Sequence, residues 1–400
     1  MRIFALDFEP SSRRGGQELS LVDECVGLAA RGHDVRLGFV KPGDLLERYR
    51  AAGIATVPLS EIEVRPNRRL RSAADFGRSV LRAAASRSDV ICVNQYHDTL
   101  FGALVSRLAR APLVCHLRLL PPGSLCSQWR LGLPSVTRFV AASRAIADAW
   151  IALRGVDPET VQVAHDGIDM EYYRPRSNRD AIRRELGVSA NAFLVMYVGR
   201  VDHAKNLERL LEAFALLSRD VPDSNLAIAG RPVNHESASA GEAYLASLRS
   251  HAAALGIEDR VRWLGARPDV PELLSAADVS ALFTLEEGLG RVTFESLACG
   301  VPAIASTRGG AVEILTGEFE RYQFDPRDPA DAAEKLRSLV GWRERDPRLG
   351  ERARAHAVAN FSLDAKVSQL EIALQRARTA GPQRNGPRGE QLRAVFPEPV

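Results

Sequence analysis

Apolar and polar positions along the chain fall into a repeating two-part pattern. A short, nearly continuous apolar run is followed by a longer segment whose apolar positions recur at helical spacing. Runs of the first kind cover 2–7, 34–39, 89–94, 112–116, 137–141 and 161–164, and a second series covers 193–199, 225–230, 261–264, 278–283 and 301–305. Helical patterns lie among them at 17–31, 97–110, 143–153, 206–218, 242–255, 290–299 and 330–341. Strands separated by helices build βαβ units and therefore parallel sheets. A parallel strand is buried on both faces, so it reads as a continuous apolar run, as FLVMYVG at 193–199 and VPAIAS at 301–306 do. The alternation pauses near 170–190, around YYRPRSNRD, and the domain joint is placed there. The pattern predicts an α/β chain of two doubly wound domains, 1–170 and 171–360, with a cleft between them. After Phe361 it predicts one last amphipathic helix, 361–380, and the Pro-, Gly- and Arg-rich stretch 381–400 is expected to be disordered.

Composition narrows the function classes. The chain has 400 residues, with 53 basic and 50 acidic side chains and a formal net charge of +3, too small a surplus for a dedicated nucleic-acid binder. Five scattered cysteines, none in a C-x-x-C pair, argue against a disulfide framework or a zinc site and for reduced thiols. No apolar h-region follows the strand-like start MRIFALDF, and no run of about 18 apolar residues occurs, so a cytoplasmic location is expected. Seven arginines (65, 68, 69, 71, 78, 82, 87) against one acid, Asp75, mark the segment 65–87. It reads either as a solvated face or as peripheral contact with anionic lipid at the inner face of a membrane.

The candidate chemistry lies at the carboxyl ends of predicted strands. In EEGLGRVTFESLACGVP (286–302), Glu287 and Glu295 stand eight apart. Gly288 and Gly290 allow a tight turn and close backbone approach. A helix starting at Arg291 would offer free N–H groups to a phosphate. A carboxylate accepts two hydroxyls, so two carboxylates suit a ribose and a hexose. Taken alone, the pair reads equally as a solvated Glu and a helix-start Glu. In VGRVDHAKNL (198–207), Gly199 frees a turn, and Arg200 and Lys205 form a cationic pair suited to a diphosphate. Either residue alone also reads as an ordinary surface cation. Gly309-Gly310 before a helix suits an anion-binding nest or a plain βα loop. Gly15-Gly16, between the first strand and helix, is placed to approach a phosphate or an acceptor, or is a common βα turn. No G-x-G-x-x-G follows that strand, so a nicotinamide site is disfavoured. His116 ends a first-domain strand and is expected to face the cleft, with a satisfied structural histidine as the competing reading. Asp325, Asp328 and Asp331 read as helix capping, and no strict D-x-D occurs, so no metal site is expected.

The motifs taken together resemble the family 4 retaining glycosyltransferases of GT-B fold, in which two Rossmann-like domains face across a cleft. The resemblance covers about 1–378 and rests on GGQE, AASRAIAD (141–148), AHDGIDMEYYRP (164–175), VGRVDHAKNL, WLG (263–265), EEGLGRVTFESLACGVP and GGAVEIL. It implies a metal-independent transferase with no cofactor, moving a hexose from a nucleotide-diphosphate sugar to a glycan, lipid-linked or small-molecule acceptor. Donor contacts would come from Gly199, Arg200, Lys205, Glu287, Gly288, Leu289, Gly290, Arg291 and Glu295 in the second domain. Glu287, His116, Arg200 and Lys205 would carry catalysis, and Gly15 and Gly16 would form an acceptor or phosphate loop. The last helix would cross back onto the first domain. Departures are Asp166 where the family often has Asn, Leu289 where Phe is common, and the bulky cation Arg291. The hydrophilic stretch 231–245 has no assigned role. A nucleotide-sugar epimerase, a glycosyl phosphorylase and a non-catalytic sugar-nucleotide binder are the competing readings of the same scaffold.

Overall fold

The computed structural model describes residues 1–64, 69–233 and 237–382. Most of the tail expected to be disordered, 383–400, lies outside the described residues, as do 65–68 of the basic segment and 234–236 of the hydrophilic stretch. The chain divides into two compact units: Met1–Gly167 with Leu363–Val400, and Ile168–Ser362.

The first unit carries β1 (Arg2–Asp7), β2 (Asp34–Phe39), β3 (Ala55–Pro58), β4 (Val90–Val93), β5 (Leu113–Leu117), β6 (Val136–Ala141) and β7 (Val161–Val163). All pair in parallel, in the order β3-β2-β1-β4-β5-β6-β7. Its helices are α1 (Gly16–Ala30), α2 (Leu46–Ala51), α3 (Arg69–Ala84), α4 (Thr99–Ala109), α5 (Ser127–Gly132) and α6 (Arg144–Arg154). The pleat explains the apolar runs: Ile3 and Ala5 enter the core on one face of the sheet, Phe4 and Leu6 on the other. Phe76, Phe101 and Trp150 from α3, α4 and α6 cover the second face. Leu21, Val22 and Cys25 of α1 cover the first, together with Val367, Leu370 and Leu374 of the last helix, Leu363–Ala380. Each such burial contributes about 1.5–3 kcal/mol of transfer free energy. Local signals set the helix ends. The Ser143 side chain accepts the Ile146 N–H at 3.2 Å to start α6, and Gly155 in the left-handed region ends it.

The second unit carries β8 (Phe193–Val198), β9 (Ser224–Ala229), β10 (Val261–Gly265), β11 (Val279–Leu282), β12 (Ala303–Ser306) and β13 (Gln323–Phe324), all parallel, in the order β10-β9-β8-β11-β12-β13. Its helices are α7 (Arg179–Glu185), α8 (Leu207–Asp220), α9 (Ala238–Ala254), α10 (Val270–Ala276), α11 (Arg291–Ala298), α12 (Pro329–Ser338), α13 (Trp342–Arg345) and α14 (Leu349–Phe361), which makes Leu363–Ala380 of the first unit α15. At the amino edge of this sheet Arg183 is fully buried and bonds Asp278 at 2.6 Å and the Ala192 carbonyl at 2.7 Å. Asp278 also accepts the Leu194 N–H, so the charges are satisfied as a unit. Asp328 accepts the N–H groups of Ala330 and Asp331, and Asp331 accepts that of Asp325, so this acidic trio caps and ties α12.

The sequence pattern omitted β3 and β13. β3 is a four-residue strand at the sheet edge whose end residues are exposed, and β13 has two residues. Neither gives a continuous apolar run. Among the described residues no helix is long and apolar enough to cross a membrane.

Candidate active site

Strand order locates where ligands go. In each unit one strand carries its sequential neighbour on one side and a later strand on the other: β1 lies between β2 and β4, and β8 lies between β9 and β11. Chain segments leaving the two strands of such a switch point diverge and open a crevice at the carboxyl edge. The segments after β8 and β11 are 199–206 and 283–290, which hold most of the predicted donor residues.

Here the structure brings Lys205 and Glu287 together, with Nζ 2.6 Å from Oε2 and side-chain exposures of 15% and 18%. Backbone stitching holds both in place. The Thr284 hydroxyl lies 3.0 Å from the Ala204 carbonyl and 2.9 Å from that of Glu286, and the Leu285 N–H donates to Ala204. Asn206 adopts the left-handed region (φ 54°) and donates from Nδ2 to the Phe283 and Pro326 carbonyls at 3.2 and 3.0 Å. Gly290, at φ +93°, caps the start of α11, and a Cβ there would lie 3.4 Å from Glu287 Cγ and 2.7 Å from Leu282. Gly309 presses on the same loop, since a Cβ would come within 2.0 Å of the Glu287 carbonyl oxygen. That oxygen accepts the Gly310 N–H at 3.1 Å. The double glycine thus buttresses the Glu287 turn.

The other donor candidates form adjoining pairs. Glu295, 6% exposed, receives Arg291 Nε at 2.7 Å one helical turn back. Tyr173 stands against it, its phenol pushed well above the ordinary range by burial and then by the Glu295 charge. Arg200 lies 3.3 Å from Asp202, and its carbonyl accepts the Tyr197 hydroxyl at 2.5 Å. Burial raises the Tyr197 phenol, with Asp202 and Glu287 adding to the shift and Arg200 opposing it. Gly199 and Gly288 lie partly exposed in the same two segments. Leu289 lies in the same turn. Its side chain is 4% exposed and packs in the core, leaving only its backbone to meet a ligand.

In the first unit Gly15 caps α1 and Gly16 begins it, next to the end of β1. His116, expected to face a cleft or to be a satisfied structural histidine, is buried. Its ring is 2% exposed and points at Glu24, 3.6 Å away. Arg118 joins the group, bonding Glu24 at 2.9 Å, Asp166 at 2.8 Å and Asn94 at 2.8 Å. Lys366 of α15 bonds the Ala164 carbonyl and lies 3.3 Å from Glu24. Burial holds the His116 ring neutral, near about 3, although Glu24 pulls the other way. Burial alone would raise Glu24, but Arg118 and Lys366 outweigh it and lower Glu24 to about 2. Alternation along β5 is the reason: His116 shares the face of Val114, which α1 and α15 cover.

Two family models match the chain, "Glycosyltransferase Family 4" over 14–172 and "Glycosyl transferases group 1" over 178–356. The chain is a family 4 glycosyltransferase. Among relatives, the transferase is 29% identical over 332 residues to a D-inositol 3-phosphate glycosyltransferase 1 of Catenulispora acidiphila, covering 78% of this chain and 77% of that protein. It is 32% identical over 272 residues to a D-inositol 3-phosphate glycosyltransferase of Mycolicibacterium vanbaalenii, covering 64% and 59%. Against several further relatives it spans little more than half of their length. A crystal structure of Anabaena Alr3699/HepE in complex with UDP and glucose superposes with a TM-score of 0.81 at 26% identity, covering 94% of this transferase and all of that chain. The two parallel sheets of the transferase match the GT-B architecture.

Several residues that shape these sites were not singled out in the sequence. Asn206 stands one position after Lys205 and fixes the loop. Tyr173 lies inside the YYRP run and abuts Glu295. Asp7 and Asp98 flank the first switch point. For Asp7 the cue was present, as the last residue of an apolar strand is where a ligand-facing side chain belongs.

Proposed function

We propose that the enzyme transfers a hexose from a nucleotide-diphosphate sugar to a glycan, lipid-linked or small-molecule acceptor, with retention of anomeric configuration and without a metal ion or cofactor. The donor binds at the second switch point and the acceptor in the first unit, near the Gly15-Gly16 turn. The observation that carries the donor site is the Lys205–Glu287 pair at 2.6 Å beside the start of α11. Lys205, Arg200 and the positive end of α11 supply positive charge where a leaving diphosphate needs it. Glu287 and Glu295 accept hydroxyls from the donor's two sugars. The pairing of HepE with UDP supports a uridine donor. As a finer part of the proposal, the enzyme acts in the cytoplasm and segment 65–87 rests on anionic lipid at the inner face of a membrane. Helix α3 supports this with Leu70 and Leu81 exposed at 91% and 64%, beside exposed Arg71, Arg78 and Arg82.

A thermal-shift screen with UDP-, GDP-, ADP- and dTDP-sugars tests the donor, since a bound ligand raises the melting point by mass action. UDP-sugars are expected to stand out, and Lys205→Ala to remove the shift. NMR of the product is expected to show the donor's anomeric configuration, with turnover unchanged by EDTA. An inverted product would remove the retaining reading. Turnover lost to EDTA and restored by Mg²⁺ would remove the metal-free one.

A further inference from the structure

The first unit has a second feature of the same topological kind, with the opposite charge. Asp7 is the last residue of β1, and Asp98 ends the short turn Tyr96–Asp98 after β4. β1 and β4 are paired neighbours with Leu6 opposite Val93, so the two carboxylates leave the carboxyl edge on either side of the switch point. Asp7 is 3% and Asp98 is 8% exposed. Asp7 Oδ1 accepts the Glu9 N–H at 3.2 Å, while its buried Oδ2 has no hydrogen-bond partner. Among the described residues no hydrogen bond reaches the Asp98 carboxylate. Gln95, bonded across the crevice to Gln17, leaves its buried Oε1 unpartnered as well. A Cβ built on Gly15 at the start of α1 would meet nothing within 4 Å, so the crevice has room there.

A third acid, Glu18, is buried in the first turn of α1 and takes Arg14 Nε at 3.0 Å. Arg14 also lies 3.7 Å from Glu9, so one cation answers several carboxylates. Lys41 at the rim lies over the Phe8 ring, and Arg118 below is committed to Glu24, Asp166 and Asn94. His97, packed at a tilt against Tyr96 and Trp129, is held neutral by burial and adds no positive charge. Burial, reinforced by neighbouring acids, pushes Asp7 up to about 7 and Asp98 up to about 8. Buried acceptors of this kind are stabilised by hydroxyl donors, and each carboxylate accepts two. The same burial and neighbouring acids that disfavour the ionised form of Asp7 and Asp98 also disfavour a phosphate there.

We infer that the first switch-point crevice holds a neutral, polyhydroxylated acceptor through Asp7 and Asp98 and rejects acceptors carrying a phosphate at that position. The inference rests on acceptor binding in the first unit and sets this enzyme apart from transferases named for D-inositol 3-phosphate.

The test uses the full chain without donor, so that failure of the donor reading cannot enter. Saturation-transfer NMR compares myo-inositol with D-inositol 3-phosphate, and glucose with glucose 6-phosphate. The expected result is that each free polyol binds about tenfold or more tighter than its phosphorylated partner. The gap should close in Asp7→Asn/Asp98→Asn and in Asp98→Asn alone, which keeps the test open if the double variant does not fold. Both substitutions remove the cost of burying an ionisable carboxyl at constant size, so the melting temperature should rise, and the UDP shift should stay as in the wild-type protein. Preference for either phosphorylated compound overturns the inference. So does a response to all four compounds that is the same in wild type and variants, including none in either.

Discussion

Removing Lys205 tests whether the second switch point works as a charge-coupled unit. The Nζ–Oε2 distance is 2.6 Å and both side chains are less than one-fifth exposed. A fully exposed pair contributes about 0–1 kcal/mol, and a hydrogen bond to a charged group about 1.5–3 kcal/mol. The short distance and partial burial place this pair near ~2 kcal/mol, or roughly 30-fold in a binding constant. Lys205→Ala therefore does two things: it withdraws a cation from a bound diphosphate, and it leaves Glu287 facing that diphosphate as an unanswered negative charge. UDP affinity, measured by calorimetry, should fall by ~30-fold or more. Adding Glu287→Gln to that variant should recover about tenfold, because it removes the repulsion. Glu287→Gln alone should change UDP affinity little and reduce sugar transfer strongly. The cycle then shows a coupling well above the ~0.5 kcal/mol within which independent sites add. Strict additivity, or a double variant weaker than Lys205→Ala, would refute the coupled pair.

Three further outcomes are expected. Asn206→Ala loses two carbonyl hydrogen bonds and forces alanine to φ 54°, so urea denaturation should show a loss of about 2–4 kcal/mol, with Asn206→Gly recovering about 1 kcal/mol of it. Equal losses in both variants would remove the strain component. His116 is held near about 3 by burial among Glu24, Arg118, Lys366 and Asp166, so the unfolded chain takes up its proton first as pH falls. Stability from His116 is therefore complete above about pH 6.5 and is lost progressively toward pH 3, and denaturation midpoints of His116→Gln should fall less steeply over that window. Vesicles containing phosphatidylserine should sediment the enzyme at low salt and release Leu70→Ser/Leu81→Ser, and equal sedimentation of both proteins would make the basic helix a solvated face.

What the sequence made legible follows a physical rule. Parallel strands buried on both faces announce themselves, so β1, β2 and β8 were read within a residue of their bounds. β3 did not, because an edge strand buries too little, nor did α7, whose seven residues give barely two turns of periodicity. At the candidate site, Lys205 and Glu287 were each assigned to a donor site from their own loops, and the pairing of β8 with β11 that brings them together was not legible. The burial of His116 was not legible from its place at a strand end. Whether a β5 side chain meets solvent depends on which face α1 and α15 cover, and α15 comes from about 250 residues away in the sequence. For the same reason Lys366 and Glu24 could not be paired from spacing. Asn206 was missed because a left-handed asparagine has no periodic signature.

The two switch points bear on where this enzyme's specificity resides. Both sheets are parallel, both open between a strand and its out-of-order neighbour, and both start a helix on a glycine at that edge, Gly15 for α1 and Gly290 for α11. Fold alone therefore does not distinguish a diphosphate site from a polyol site. The loops do. One edge carries Arg200, Lys205 and Arg291, each with a carboxylate partner within 3.3 Å, so negative charge can enter by displacing or sharing an existing ion pair. The other edge carries Asp98 and Asp7, whose buried Oδ2 has no hydrogen-bond partner, so a hydroxyl donor can enter there without displacing an ion pair. Swapping ligand class between the edges would thus require changing a handful of loop charges, not the sheets, and the substitutions at Lys205 and Asp98 probe those loops directly.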